Sequence, residues 1–252
     1  AKNDKASAVK LYEELSADCE TGAVRGAALN GLVKAEPDKA LERVTKALTD
    51  KDAQLARIAG AFVRDLPGEA ATKAFAALLA EVPVERKTYI IQELTDRGDP
   101  AARAAITASG DLDDAGKIAA IRALGKLGNE ADAPLLVAAI ASTSGDEQRA
   151  AQTALSTLPG AGANAALLKQ ATNKDPKLAS VALTALADRR AKETRGDLLK
   201  LLEDKDCAVK GDVYAALEAL GEDSELAPLL ARLDAGVDAS ELPALQKALA
   251  SI

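Results

Sequence analysis

From Val24 onward, apolar residues return in a fixed frame. The segment VRGAALNGL places Ala28 four residues and Leu32 eight residues after its opening valine. Restarting the frame at 55, 86, 116, 147, 178 and 209 spaces the units by 30 or 31 residues. The fourth-offset column reads Ala28, Ala59, Ile90, Ala120, Ala151, Ala182 and Val213. The eighth-offset column reads Leu32, Val63, Leu94, Leu124, Leu155, Leu186 and Leu217. A spacing of four and eight puts each pair on one face of an α-helix. A second apolar column stands at offset 20: Val44, Phe75, Ile106, Leu136, Leu167, Leu198 and Leu229. Between the columns lie Pro37-Asp38, Pro67-Gly68, Gly98-Asp99-Pro100, Gly128-Asn129, Pro159-Gly160, and Gly221 before Ser224. Gly and Pro end helices, and Asp, Asn and Ser cap the helices that follow. Each unit is thus predicted to hold two helices of about 11 to 13 residues and two tight turns.

A helix this short with a single apolar stripe is marginal alone and buries that stripe against neighbouring units. One repeat domain over 1–252 is expected, with residues 1–5 frayed and a helix around Leu11 and Leu15 covering the first unit. A last helix is expected over 241–252. Its apolar ending leaves open a continuation beyond Ile252.

Units such as VRGAALNGL followed by DKALERVTKAL, or IAAIRALGKLGNEADAPLLVAAI, resemble the short HEAT-like repeats of the phycobilisome-lyase type, an armadillo-type fold. The resemblance covers residues 7 to 252. It implies an all-α, right-handed α-α superhelix of about seven to eight 31-residue helix pairs. The unit at Arg86, with Tyr89, Ile90 and Ile91, departs from the pattern. So does the unit at Glu147, which lacks an apolar opener.

Composition narrows the chemistry. Alanine fills 58 of 252 positions, and the aromatics are Tyr12, Phe62, Phe75, Tyr89 and Tyr214 alone. Histidine, methionine and tryptophan are absent. Zero histidine removes Ser-His-Asp triads, Cys-His dyads and histidine-ligated metals, and two cysteines cannot build a Cys₄ zinc site. No metal or other cofactor is expected. The formal charge of −7 argues against nucleic acid, which requires a basic footprint. The longest uncharged stretch, 150–168, carries Gln152, Pro159, two glycines and Asn164, so no membrane-spanning segment is read. Nor is a signal segment, and a start at Ala1 without methionine reads as a processed or excised chain.

Several motifs resolve to turns and caps. Cys19 and Cys207 lie six repeats apart, too far for a disulfide, and read as small packing residues. The G-x-G-x-x-A spacing of Gly160, Gly162 and Ala165 follows a helix, whereas a dinucleotide fingerprint needs a preceding strand. Asp111, Asp113 and Gly116 imitate part of a calcium loop, but Ala115 and Arg122 replace needed ligands. Arg97-Gly98-Asp99 falls at the recurrent helix-ending turn. The pairs Asp113-Asp114 and Glu222-Asp223 sit where helices begin and complement the helix dipole.

One further pattern reads either as an ordinary solvated helix face with salt bridges or as the lining of a binding groove. The resemblance implies that the frame-opening helices are the second (B) helices of HEAT-like repeats, whose face away from the apolar stripe lines the concave surface. On them, offsets 2, 6 and 9 point away from the apolar stripe. Those columns hold Arg57, Arg64, Gln92, Arg122 and Arg149, with Tyr89 beside them. Guanidinium groups suit carboxylates, phosphates and aromatic faces, and Tyr89 could anchor a bound segment. The expected function is a noncatalytic protein–protein interaction module or scaffold. Its partner would be a protein or peptide, an acidic segment being one candidate. A structural or regulatory repeat domain of a larger bacterial protein is the alternative. Among enzymes that the resemblance implies, iron hydroxylases need His-Glu pairs, and alkylpurine DNA glycosylases need an aromatic, basic cleft. Only a bilin lyase stays open.

Overall fold

The structure is a computed structural model describing residues 4–17, 20–221 and 223–251; the side chains of Asp223 and Ser224 are not among those described. Among the expectations, fraying at 1–3, the packing of Cys19 and the cap at Glu222-Asp223 fall outside these residues. The described chain is all-helical. Its helices are α1 (Lys5–Leu15), α2 (Gly22–Ala35), α3 (Ala40–Leu48), α4 (Ala53–Asp65), α5 (Glu69–Ala77), α6 (Val84–Arg97), α7 (Arg103–Thr107), α8 (Asp114–Leu127), α9 (Ala133–Ser142), α10 (Gly145–Thr157), α11 (Ala163–Ala171), α12 (Pro176–Asp188), α13 (Arg195–Glu203), α14 (Lys210–Leu220), α15 (Asp223–Ala235) and α16 (Leu242–Ser251).

The caps follow the sequence. Asp4, Thr21, Asp52 and Asp175 accept backbone N–H bonds at the starts of α1, α2, α4 and α12. Asp113 Oδ1 accepts from the Gly116 N–H at 2.7 Å, so the supposed calcium loop is a capped turn. Short 3₁₀ turns at Pro37–Lys39, Pro100–Ala102, Glu130–Asp132 and Lys192–Thr194 lead into α3, α7, α9 and α13. Gly160, at φ +105°, takes the turn between α10 and α11, so the G-x-G-x-x-A spacing serves a helix–helix connection.

The chain divides into two compact units, residues 1–123 and 124–252. In the first, α1 packs on α2, α3 on α4 and α5 on α6. One row then runs α2–α4–α6 and a second α3–α5–α7. In the second unit, α9 packs on α10, α11 on α12, α13 on α14 and α15 on α16, with α12, α14 and α16 in a row. Each hairpin therefore joins the second helix of one sequence frame to the first helix of the next. Of the 21 positions in the three apolar columns, all are buried except Ala120, which is half-exposed. Each buried Leu or Val contributes about 1.5–3 kcal/mol of transfer free energy.

Small residues set how closely the rows approach. At Gly125 of α8, an added Cβ would lie 2.7 Å from the Ala154 Cα of α10, so backbone meets backbone there. At Gly60 of α4, it would lie 2.5 Å from Cζ of Tyr89, whose ring covers that glycine from α6. The second unit closes on a buried polar cluster. Glu241 accepts from Lys210 Nζ at 3.0 Å and from the fully buried Tyr214 hydroxyl at 3.3 Å. That hydroxyl in turn accepts from Arg232 Nε at 3.2 Å. The cluster ties the start of α16 to α14 and α15. Among the described residues, no helix is long and apolar enough to cross a membrane.

Candidate protein-docking face

The residues singled out from the sequence occupy successive frame-opening helices. Arg57 and Arg64 are on α4, Tyr89 and Gln92 on α6, Arg122 on α8, all in the first unit; Arg149 is on α10 in the second. The arginines and Gln92 are exposed and Tyr89 is half-buried.

Their partners differ. Arg149 pairs with Asp146 one turn away on its own helix, and both side chains are 72% exposed, an arrangement worth little energetically. Arg64 Nε lies 3.1 Å from Glu93 Oε2. The contact is one of charge, because no donor is aligned for a hydrogen bond to that oxygen. Arg57 and Arg122 have no ion pair among the described residues.

Tyr89 donates its hydroxyl proton to the Arg57 carbonyl at 2.8 Å. Burial pushes the phenol up to about 12, the Glu93 carboxylate adds to the rise, and Arg57 and Arg64 oppose it. With the Arg57 carbonyl as acceptor, Glu93 acts on Tyr89 through its charge. The ring is thereby a packed wall of the face, tied at its tip, with Gly60 beneath it.

Two shallow clefts open beside these residues. One, of about 240 Å³, is mostly apolar: Leu48, Ala53, Ala56 and Ile90 form it with Tyr89, and Arg57, Glu85 and Arg86 edge it. The other, of about 300 Å³, is polar, with Gln92, Arg122, Glu93, Thr95 and Asp96 over Ala115 and Ala119. In the second unit, a cleft of about 250 Å³ between α10 and α12 mixes uncharged polar groups, among them Gln152, Ser156, Ser180 and Thr184, with apolar ones such as Ile140, Leu155 and Val181.

Two arginines that sequence reasoning left aside are heavily engaged. Arg97 donates through Nη1 to the carbonyls of Val63 (2.5 Å) and Leu66, through Nη2 to that of Gly68 (2.9 Å), and through Nε to Thr72 Oγ1 (2.6 Å). Thr72, fully buried, passes its proton to Asp99 Oδ2 at 2.5 Å. Arg189 repeats the device on Leu155, Ser156 and Leu158 and on Asn164. Both arginines satisfy the carbonyls that end the preceding frame-opening helix. Both stand at offset 11 of their frames, the column that could have revealed them. The Arg97-Gly98-Asp99 tripeptide is consequently a structural joint, with Gly98 left-handed at φ +76° and Asp99 capping the next turn.

Residues 164–250 match the family model for HEAT repeats. This stretch is a run of HEAT repeats. The earlier frames carry the same apolar columns and helix pairing as this stretch. No curated protein matches the sequence. Among solved structures, the chain is similar to the Escherichia coli protein YibA, at 15% identity over 99% of this chain and 97% of that one, TM-score 0.44. It is similar to the CpcE–CpcF complex of phycocyanin lyase from a Nostoc species, at 17% over 100% and 96%, TM-score 0.45. It is also similar to human deoxyhypusine hydroxylase in complex with glycerol, at 17% over 98% and 96%, TM-score 0.42. A repeat fold by itself assigns no chemistry.

Proposed function

We propose that the chain is a noncatalytic interaction module whose first unit holds an extended protein segment against α4, α6 and α8. The observation that carries this is the pair Arg57 and Arg122. These are exposed guanidiniums without counter-ions among the described residues, on either side of Gln92, and each edges a cleft. The apolar cleft under Tyr89 takes an aliphatic side chain, and the two arginines take carboxylates. Glu93 and Asp96 between them disfavour a segment of uniform negative charge and favour one whose acidic residues are spaced. Tyr89 shapes the apolar cleft rather than reaching out as a free anchor. Arg64 contributes to the field of the face but already has Glu93 beside it, and Arg149, in the second unit, is paired with Asp146.

The test is selection from a display library of extended peptides, followed by fluorescence anisotropy with the purified binders. Selected peptides should carry separated carboxylates and an aliphatic residue. They should bind about tenfold more weakly to an Arg57→Ala/Arg122→Ala variant, and the affinity should fall with salt. Arg149→Ala should leave it unchanged. Binders that ignore the double substitution would overturn this placement of the site.

A further inference from the structure

The row of frame-opening helices in the second unit has one loose joint. α12, α14 and α16 stack closely, as α2, α4 and α6 do, whereas α10 meets α12 more sparsely. One side chain accounts for it. At offset 5 the other frames carry Leu29, Gly60, Ile91, Ile121, Leu183 and Tyr214, all buried. α10 carries Gln152 there, exposed, and together with Val181 of α12 it lines the cleft of about 250 Å³. This is the frame that opens on Glu147 in place of an apolar residue.

The cleft is polarised along its length. Lys177, in the first turn of α12, stands at one end, and Asp188, the last residue of α12, at the other. They are eleven residues apart, about 16 Å along the helix. A helix start is positive and a helix end negative, so each side chain has the sign its own helix end disfavours. Neither has an ion pair among the described residues. Between these ends, Gln152 makes no hydrogen bond among the described residues. Gln148 uses its Nε2 donor on the Ile140 carbonyl at 2.9 Å and keeps its amide oxygen. A side-chain amide offers a donor and an acceptor together, the pair that a peptide main chain also presents.

We propose that this cleft holds an extended peptide segment with an acidic, an aliphatic and a basic residue at alternate positions. In an extended chain, residues i, i+2 and i+4 face one way and cover about 13 Å, and the outer side chains complete the span from Lys177 to Asp188. The acidic side chain meets Lys177 and the basic one Asp188, so both uncompensated charges gain a partner. The aliphatic side chain enters beside Leu155 and Val181, where the apolar knob of the frame is missing. A volume of about 250 Å³ is below that of ordinary small-molecule sites, about 300 Å³ upward, and suits side chains of a longer segment. This bipolar occupant differs from the one assigned to the first unit, and the inference does not rest on that reading.

The test is an NMR titration of the whole chain with acetyl-Glu-Thr-Leu-Thr-Lys-amide and with the same sequence in reverse order, which together cover both directions of the main chain. At least one should bind, with amide and methyl shifts centred on Gln152, Val181 and Thr184. Lys177→Glu should weaken that peptide about tenfold, since an attraction becomes a repulsion of similar size, and should strengthen a Lys-Thr-Leu-Thr-Lys counterpart. Asp188→Lys should do the mirror image, favouring Glu-Thr-Leu-Thr-Glu. Both substitutions relieve a mismatch with the helix dipole, so each variant should keep its fold. Gln152→Leu should fill the cleft and abolish binding. Binding of neither peptide, shifts centred elsewhere, or indifference to the charge substitutions or to Gln152→Leu would each overturn the proposal. Arg57→Ala/Arg122→Ala should leave binding unchanged; a loss there would move the peptide to the first unit and overturn it as well.

Discussion

Gly60→Ala separates packing from helix propensity at the α4–α6 contact. In an unobstructed helix interior, replacing Gly by Ala stabilises by about 1 kcal/mol. Here the new methyl would stand 2.5 Å from Tyr89 Cζ, so the ring must leave. Its departure forfeits the bond to the Arg57 carbonyl, about 1 kcal/mol. Repacking around the displaced ring costs about 1–3 kcal/mol more. The balance is a net destabilisation of about 1–3 kcal/mol in the parent chain. With Tyr89→Ala the obstruction is gone, and Gly60→Ala should stabilise by about 1 kcal/mol. The double-mutant cycle should then show a coupling of about 2–4 kcal/mol. Urea denaturation followed by circular dichroism measures it, provided the slopes of the four transitions agree, since repeat arrays can unfold in parts. The reasoning is refuted if Gly60→Ala stabilises the parent as much as it stabilises the Tyr89→Ala chain.

Three other predictions concern the engaged side chains. Arg97→Ala and Arg189→Ala should each destabilise by about 2–3 kcal/mol through the helix-end carbonyls left unpaired, against about 0.5 kcal/mol or less for Arg149→Ala; urea midpoints compare them. Tyr89 is held neutral in the fold with its pKa raised to about 12. Its contribution should be complete below pH 10 and should fall as pH rises from about 10 toward 12; the 295 nm titration of the parent minus that of Tyr89→Phe should show this late ionisation. Asp50 runs the other way: its hydrogen bonds to Arg25 hold its carboxyl below the usual carboxylate range. Its stabilisation should be complete above the ordinary value of 3.8 and should vanish as pH falls through the lowered one. Asp50→Asn should therefore flatten the acid limb of stability against pH.

The three apolar columns carried the fold into the sequence almost completely, because a 31-residue unit must bury the same positions each time it stacks. Ala120 fails the column by being half-exposed, a difference too small for an alanine to register in any apolar pattern. The site was legible only as positions. That Arg57, Gln92 and Arg122 would be exposed follows from helical phase. The pairing of Arg149 with Asp146 was open to view in the i, i+3 spacing. What could not be read was Arg64 meeting Glu93, or Tyr89 lying on Gly60. Each joins helices of different frames, and frame offsets fix neither the approach of two helices nor the rotamer that spans them.

The arginines divide by task once their acceptors are known, and the division constrains where binding can occur. In a row of stacked helices, every frame-opening helix leaves terminal carbonyls that water or a donor must satisfy. A guanidinium, with five donors in a fixed fork, can satisfy several at once and reach the next helix start. Arg97 and Arg189 do this, and their charge is directed into the joints of the array. Arg25, Arg64 and Arg149 are matched by carboxylates. Arg57 and Arg122 satisfy no helix end and neutralise no carboxylate among the described residues, although each exposes a long side chain whose ordering costs entropy on binding. Charges without a structural task, on the first and third of three successive frame-opening helices, are where an anionic partner would gain most. Measuring association rates of a selected peptide against ionic strength tests that logic directly. Local attraction at Arg57 and Arg122 predicts slower association with rising salt, and the double alanine variant should lose that slope. A slope that survives in the variant would place the attraction on other cations of the first unit.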